Sequence, residues 1–162
     1  FSKPVIIVEQ YENLIKEANK SFITADQLTY VTYSVLKDRK LMLSIIQNLY
    51  NSSMSSIAAL LYYEKLYKRI DILPLSTELR IEVFETVISK RFNVNSGVVN
   101  VIKELKLILD EHKKSGVEFA RKDSYVICSD NYNTMSVVDI NKIKNYITII
   151  KELLGTVNKL KC

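Results

Sequence analysis

Ile57-Ala58-Ala59-Leu60-Leu61-Tyr62-Tyr63 is the longest uncharged apolar run in the chain, and it lies between the small residues Ser52, Ser53, Ser55 and Ser56 and the charged pair Glu64-Lys65. Seven residues fall far short of the eighteen or so needed to cross a bilayer. Wound into a helix at about 100° per residue, the run covers every face. Around it Leu43, Ile46, Tyr50, Ser53, Ile57, Leu60 and Tyr67 recur mostly at helical spacing, which predicts one helix reaching about Ile70. A helix that is apolar all round belongs in the middle of a bundle or at an interface between copies. Its small residues, including Ala58 and Ala59, leave room for another backbone to come close.

The neighbouring segments read as further helices. Upstream, Tyr11, Leu14, Ile15, Ala18, Phe22, Ala25 and Leu28 step by three and four between Glu12, Lys16 and Lys20. The pattern predicts an amphipathic helix from about residue 5 or 8 to residue 36, with a bend expected near Ser21 or Thr24. The polar break Lys37-Asp38-Arg39-Lys40 separates the two. Downstream, the loop with Pro74 leads to Ser76 or Thr77 as a cap. Leu79, Ile81, Val83, Phe84, Val87 and Ile88 then form a broad apolar arc opposite Glu78, Glu82 and Glu85. After the turn Asn93 to Ser96, a fourth helix carries Val98, Ile102, Leu105, Leu109 and His112 on one seam and stops at Gly116. From Val117 to Ser136 the helical period disappears and turn formers alternate with strand-like residues such as Tyr125 to Cys128. A last helix, from about Val138 to Lys159, shows a heptad of Ile143, Ile147, Ile150, Leu154 and Val157. The expected fold is all-α: a single domain, residues 1–162, forming an up-and-down bundle of four to five long helices with one irregular or short extended segment near 117–136.

Composition narrows the chemistry. Three glycines, all isolated, leave no Gly-rich phosphate loop. One histidine and two cysteines, Cys128 and Cys162, lack the spacing of a chelating set, so no metal and no cofactor is expected. Two thiols are too few for a disulfide-stapled secreted domain, and the apolar start Val5 to Val8 is too short for a signal-peptide core. A cytoplasmic protein that does not enter the membrane is the expectation. Lys and Arg number 23 against 18 Asp and Glu, a net charge of +5 without a basic tail, which suits a polyanionic partner.

His112 and Arg121 are the candidates for catalysis. The Glu stripe on the third helix faces away from its apolar arc and reads as a solvated face. Lys113, Lys114, Arg121 and Lys122, with Tyr125 and Tyr132 beside them, are the candidates for binding single-stranded RNA by charge and stacking. The helices on either side of Asn93 to Ser96 also admit a DNA-binding helix-turn-helix, against which Glu104, Asp110 and Glu111 argue.

The first two helices, with Leu36-Lys37-Asp38-Arg39-Lys40-Leu41 at their junction and Ala58-Ala59-Leu60-Leu61-Tyr62-Tyr63-Glu64 deep in the second, resemble the helix pair of the HEPN superfamily and of nucleotidyltransferase substrate-binding bundles. The resemblance covers about the first 70 residues and, more loosely, the last helix. It implies a dimerising bundle that associates with a nucleotidyltransferase or another RNA-processing partner. In catalytic members an Arg precedes a His by a gap of four to six residues. Here Leu107, Lys106 and Leu105 occupy the positions before His112, so the ribonuclease activity does not carry over. The sequence therefore points to a non-enzymatic binding module, homodimeric, with RNA or a nucleotidyltransferase as partner. An RNA-processing ribonuclease or accessory using His112 and Arg121 is the alternative.

Overall fold

The computed structural model describes residues 2–129 and 134–160. The first helix, α1, spans Ser2–Gln27 and continues through a wider, π-type turn at Leu28–Thr32 into Tyr33–Leu36. This irregularity lies beyond the bend expected near Ser21 or Thr24. Its cause is local: the buried Thr29 hydroxyl donates to the Ala25 carbonyl at 2.8 Å, competing with the regular backbone ladder. The widened turn keeps Thr29 and Tyr33 inward while Tyr30 and Val31 face out. Lys37, in the left-handed region at φ 54°, ends the helix, and Asp38 accepts a hydrogen bond from the Lys40 amide to start the next.

That next helix, α2, spans Leu41–Leu66. Ile57 to Leu61 are all buried, and α2 packs against every other helix of the fold. Its small residues are used inside the molecule. Ser52, Ser53, Ser56 and Ala59 on α2 have no exposed surface, α2 packs along α1, and the Ser52 hydroxyl donates to the Ala18 carbonyl at 2.8 Å. α2 stops at Leu66 rather than near Ile70, because Lys68 turns left-handed (φ 57°) and the Arg69 amide returns to the Glu64 carbonyl at 2.9 Å.

Ser76 caps α3 by accepting from the Leu79 amide at 3.2 Å. α3 runs over Thr77–Val83, a second π-type turn at Phe84–Ile88, and Ser89–Arg91. Its core side is Ile81, Phe84 and Ile88; Leu79 and Val87 are exposed, so the apolar arc is narrower than the sequence suggests. Asn93, at φ 53°, makes the turn into α4, Ser96–Lys114, whose buried side includes Val98, Ile102, Leu105 and Leu109.

The segment near 117–136 is a three-stranded antiparallel sheet, which makes the molecule mainly helical with a small sheet rather than all-α. The strands are β1, Val117–Arg121, β2, Ser124–Cys128, and β3, Met135–Asp139, in sequence order. Val138, expected as the start of the last helix, belongs to β3. Asp139 caps α5, Ile140–Asn158, by accepting from the Lys142 amide at 2.8 Å. α5 buries its heptad Ile143, Ile147, Ile150, Leu154 and Val157 against α2, α1 and α4. Among the described residues no helix is long and apolar enough to cross a membrane.

Candidate functional site

The sheet lies at one end of the bundle, between the end of α4 and the start of α5, and its register divides its residues cleanly. Val117 pairs with Cys128 and Cys128 with Met135; Phe119 pairs with Val126 and Val126 with Val137. Paired residues share a face and alternate along each strand. These six therefore form the outer face, and Glu118, Ala120, Tyr125, Ile127, Ser136 and Val138 form the inner one. Tyr125, Ile127 and Val138 join the hydrophobic core, whereas Val126 and Cys128 are buried without belonging to it. Phe119 (41% exposed), Met135 (58%) and Val137 (40%) present that outer face to solvent.

Carboxylates fasten the inner face to the bundle. Glu118 on β1 meets His112 Nδ1 of α4 at 2.5 Å through one oxygen, and accepts from the Tyr125 hydroxyl at 2.8 Å through the other. Glu111 on α4 accepts from the Ser136 hydroxyl of β3. Burial, reinforced by the hydrogen bond to Glu118, pushes the Tyr125 phenol up to about 12.

The candidate residues separate accordingly. Tyr125 offers no stacking ring, because it is buried with its hydroxyl committed to Glu118. His112 is not on the packed seam: that seam ends with Leu109, and the His112 side chain is 43% exposed. Lys113 and Lys114 at the end of α4, and Arg121 and Lys122 at the β1–β2 turn, are exposed. Tyr132 and Cys162 lie outside the described residues. Among the described residues no cluster of His, Cys, Asp and Glu is arranged to hold a metal ion.

Glu64 is fully buried between Arg69 (3.3 Å) and Arg91, Lys103 pairs with Glu85 at 2.7 Å, and Lys106 with Asp110 at 2.8 Å. Among the described residues Lys113, Lys114, Arg121, Lys122 and Lys142 make no ion pair. Of the nearby carboxylates, Glu111, Glu118 and Asp139 are engaged by Ser136, by His112 and Tyr125, and by the α5 cap, while Asp123 is exposed in the β1–β2 turn beside Lys122. The sheet end is thus a partly apolar surface edged by exposed cations, with Asp123 beside Lys122 and with Lys113 turned to a pocket it shares with Glu78 and Asp110. By contrast, a groove of 430 Å³ between α1 and α2 is lined by Glu17, Lys20 and small polar residues of no net sign. Sequence reasoning found the four cations but missed Phe119 as the exposed ring and Glu118 as the inner fastening. The alternation of Val117 and Phe119 with polar residues was the available signal for both.

α4 packs between α2 and α5, with Lys103 paired to Glu85 and Glu104 accepting from the Tyr146 hydroxyl at 2.7 Å. On the helix considered for a DNA groove, Lys103 and Glu104 are thus already engaged, while Asn100 and Leu107 are exposed. The apolar girth of α2, the basis for expecting self-association, is covered by the chain's own helices. Compared with known proteins, the chain matches no family model, no curated protein and no solved structure.

Proposed function

We propose that this protein is a non-catalytic binding module that contacts a negatively charged macromolecule through the sheet end of its helical bundle. The observation that carries the reading is the set of exposed cations Lys114, Arg121, Lys122 and Lys142, none of them in an ion pair among the described residues, near a sheet face that shows Phe119, Met135 and Val137 to solvent. Exposed cations favour association with a polyanion and make that association sensitive to salt. The likeness of the first helix pair to HEPN bundles supports a place among RNA-processing partners. The lack of an Arg before His112, and the tie of that imidazole to Glu118, support a binding rather than a cleaving role.

The test uses a labelled single-stranded oligonucleotide and an acidic peptide as polyanion probes. At least one binds, with an affinity that falls as salt rises, and replacing Lys113, Lys114, Arg121 and Lys122 together by Ala weakens it tenfold or more. The RNA probe stays intact on prolonged incubation. Absence of binding to both probes, or binding unchanged in the fourfold variant, contradicts the reading; cleavage that disappears in His112→Ala contradicts its non-catalytic part.

A further inference from the structure

Resting on that reading, we infer that the partner is a protein, and that it docks an extended segment beside β1 as a fourth strand, with apolar residues at alternate central positions and carboxylates at both ends. β1 pairs with β2 along one edge and with no strand along the other. Arg121 and Ser124 close a two-residue turn and so form a hydrogen-bonded pair, which aims the main-chain groups of Glu118 and Ala120 at the free edge. Every β1 side chain except Glu118 is exposed. β3 is less free, because Lys142 Nζ reaches the Val137 carbonyl at 3.5 Å.

An added strand would set its outward side chains beside Val117 and Phe119, extending the apolar outer face by one row. Its ends would meet Lys114 on one side and Arg121 and Lys122, with Asp123 beside them, on the other, a net positive charge that selects carboxylates there. Two alternatives fit less well. Sheet-binding RNA modules stack two or three bases on aromatic rings, and among the described outer-face residues Phe119 alone is aromatic, Tyr125 being turned inward. A second copy would oppose cations to cations. Three strands of five residues also present only roughly 250 Å² per partner, against the total of about 1,200 Å² at which specific interfaces begin.

The experiment measures binding of three probes to the intact protein. One is a synthetic eight-residue peptide with valines at alternate central positions and two carboxylates at each end, the second is its scrambled version, and the third is an oligouridylate. The ordered peptide is expected to bind at least tenfold tighter than the scrambled one. Ala120→Pro removes an N–H that faces the free edge and leaves the β2 pairing intact, so it abolishes that preference while the thermal unfolding midpoint is kept. Phe119→Ser, an exposed-site change, lowers the affinity for the ordered peptide several-fold and serves as the second variant if Ala120→Pro fails to fold. Equal binding of ordered and scrambled peptides, or an ordered-peptide affinity indifferent to both substitutions, overturns the strand proposal. Tighter, salt-dependent binding of the oligouridylate overturns it too but leaves the sheet end standing as the contact surface. No binding of any probe removes the underlying reading as well.

Discussion

Lys122 shows how much conformational detail rests on single residues. It holds φ at 51° in the β1–β2 turn, a left-handed conformation that a side chain disfavours and glycine adopts freely. Lys122→Gly is expected to stabilise the protein by about 0.5–1 kcal/mol, read as a higher urea midpoint with an unchanged slope. The same change removes one edge cation, so it separates the stability of the turn from its charge. Tyr125 gives a second residue-scale prediction. Its phenol titrates near 12 in the folded protein and near 10 when unfolded. The unfolded chain therefore loses this proton first, so stability is full below pH 10 and falls as pH rises from 10 to 12. The loss is on the order of 2 kcal/mol, and alkaline unfolding of Tyr125→Phe should show a correspondingly flatter decline. His112 shows why spacing alone misplaces a side chain. The steps of three and four that bury Leu105 and Leu109 continue to residue 112, but the core has ended there and the sheet supplies Glu118 instead.

Among the elements, α2 was the most legible. Apolar residues on every face can be hidden only in the centre of a bundle, and Leu60 and Ile57 have no exposed surface. Leu60→Ala is expected to cost about 2–5 kcal/mol through lost burial and a residual cavity, whereas Leu75→Ala, at a side chain 89% exposed, should stay within about 0.5 kcal/mol in the same denaturation series. The end of α2 was not legible. Glu64 reads as one charge in a polar stretch, because its partner Arg91 lies 27 residues away on α3. Removing either arginine leaves a buried carboxylate short of a partner. Arg91→Ala should cost about 2–4 kcal/mol, more than Arg69→Ala, whose contact is longer at 3.3 Å, and comparing the two unfolding free energies checks this. β3 was hidden for a different reason. Val137 and Val138 can be read as the first residues of the α5 heptad, and only pairing with Val126 and Tyr125 of β2 assigns them to the sheet.

At the scale of the whole molecule, two arrangements with different purposes are joined at the sheet. The bundle uses its small and apolar residues internally, down to the Ser52–Ala18 hydrogen bond, and buries the apolar run Ile57 to Leu61 of its central helix. The sheet packs one face on the core and turns the other outward, beside the exposed cations Lys114, Arg121, Lys122 and Lys142, which make no ion pair among the described residues. The sequence carried the scarcity of catalytic residues and the position of the unusual segment. The division of that segment into an inner and an outer face depends on strand register, which no local pattern specifies. Hydrogen exchange with and without a bound acidic probe tests this division most directly. The account predicts slowed exchange at the Glu118 and Ala120 amides of β1, with no change along the groove between α1 and α2; protection concentrated in that groove, with β1 exchanging as in the free protein, would contradict it.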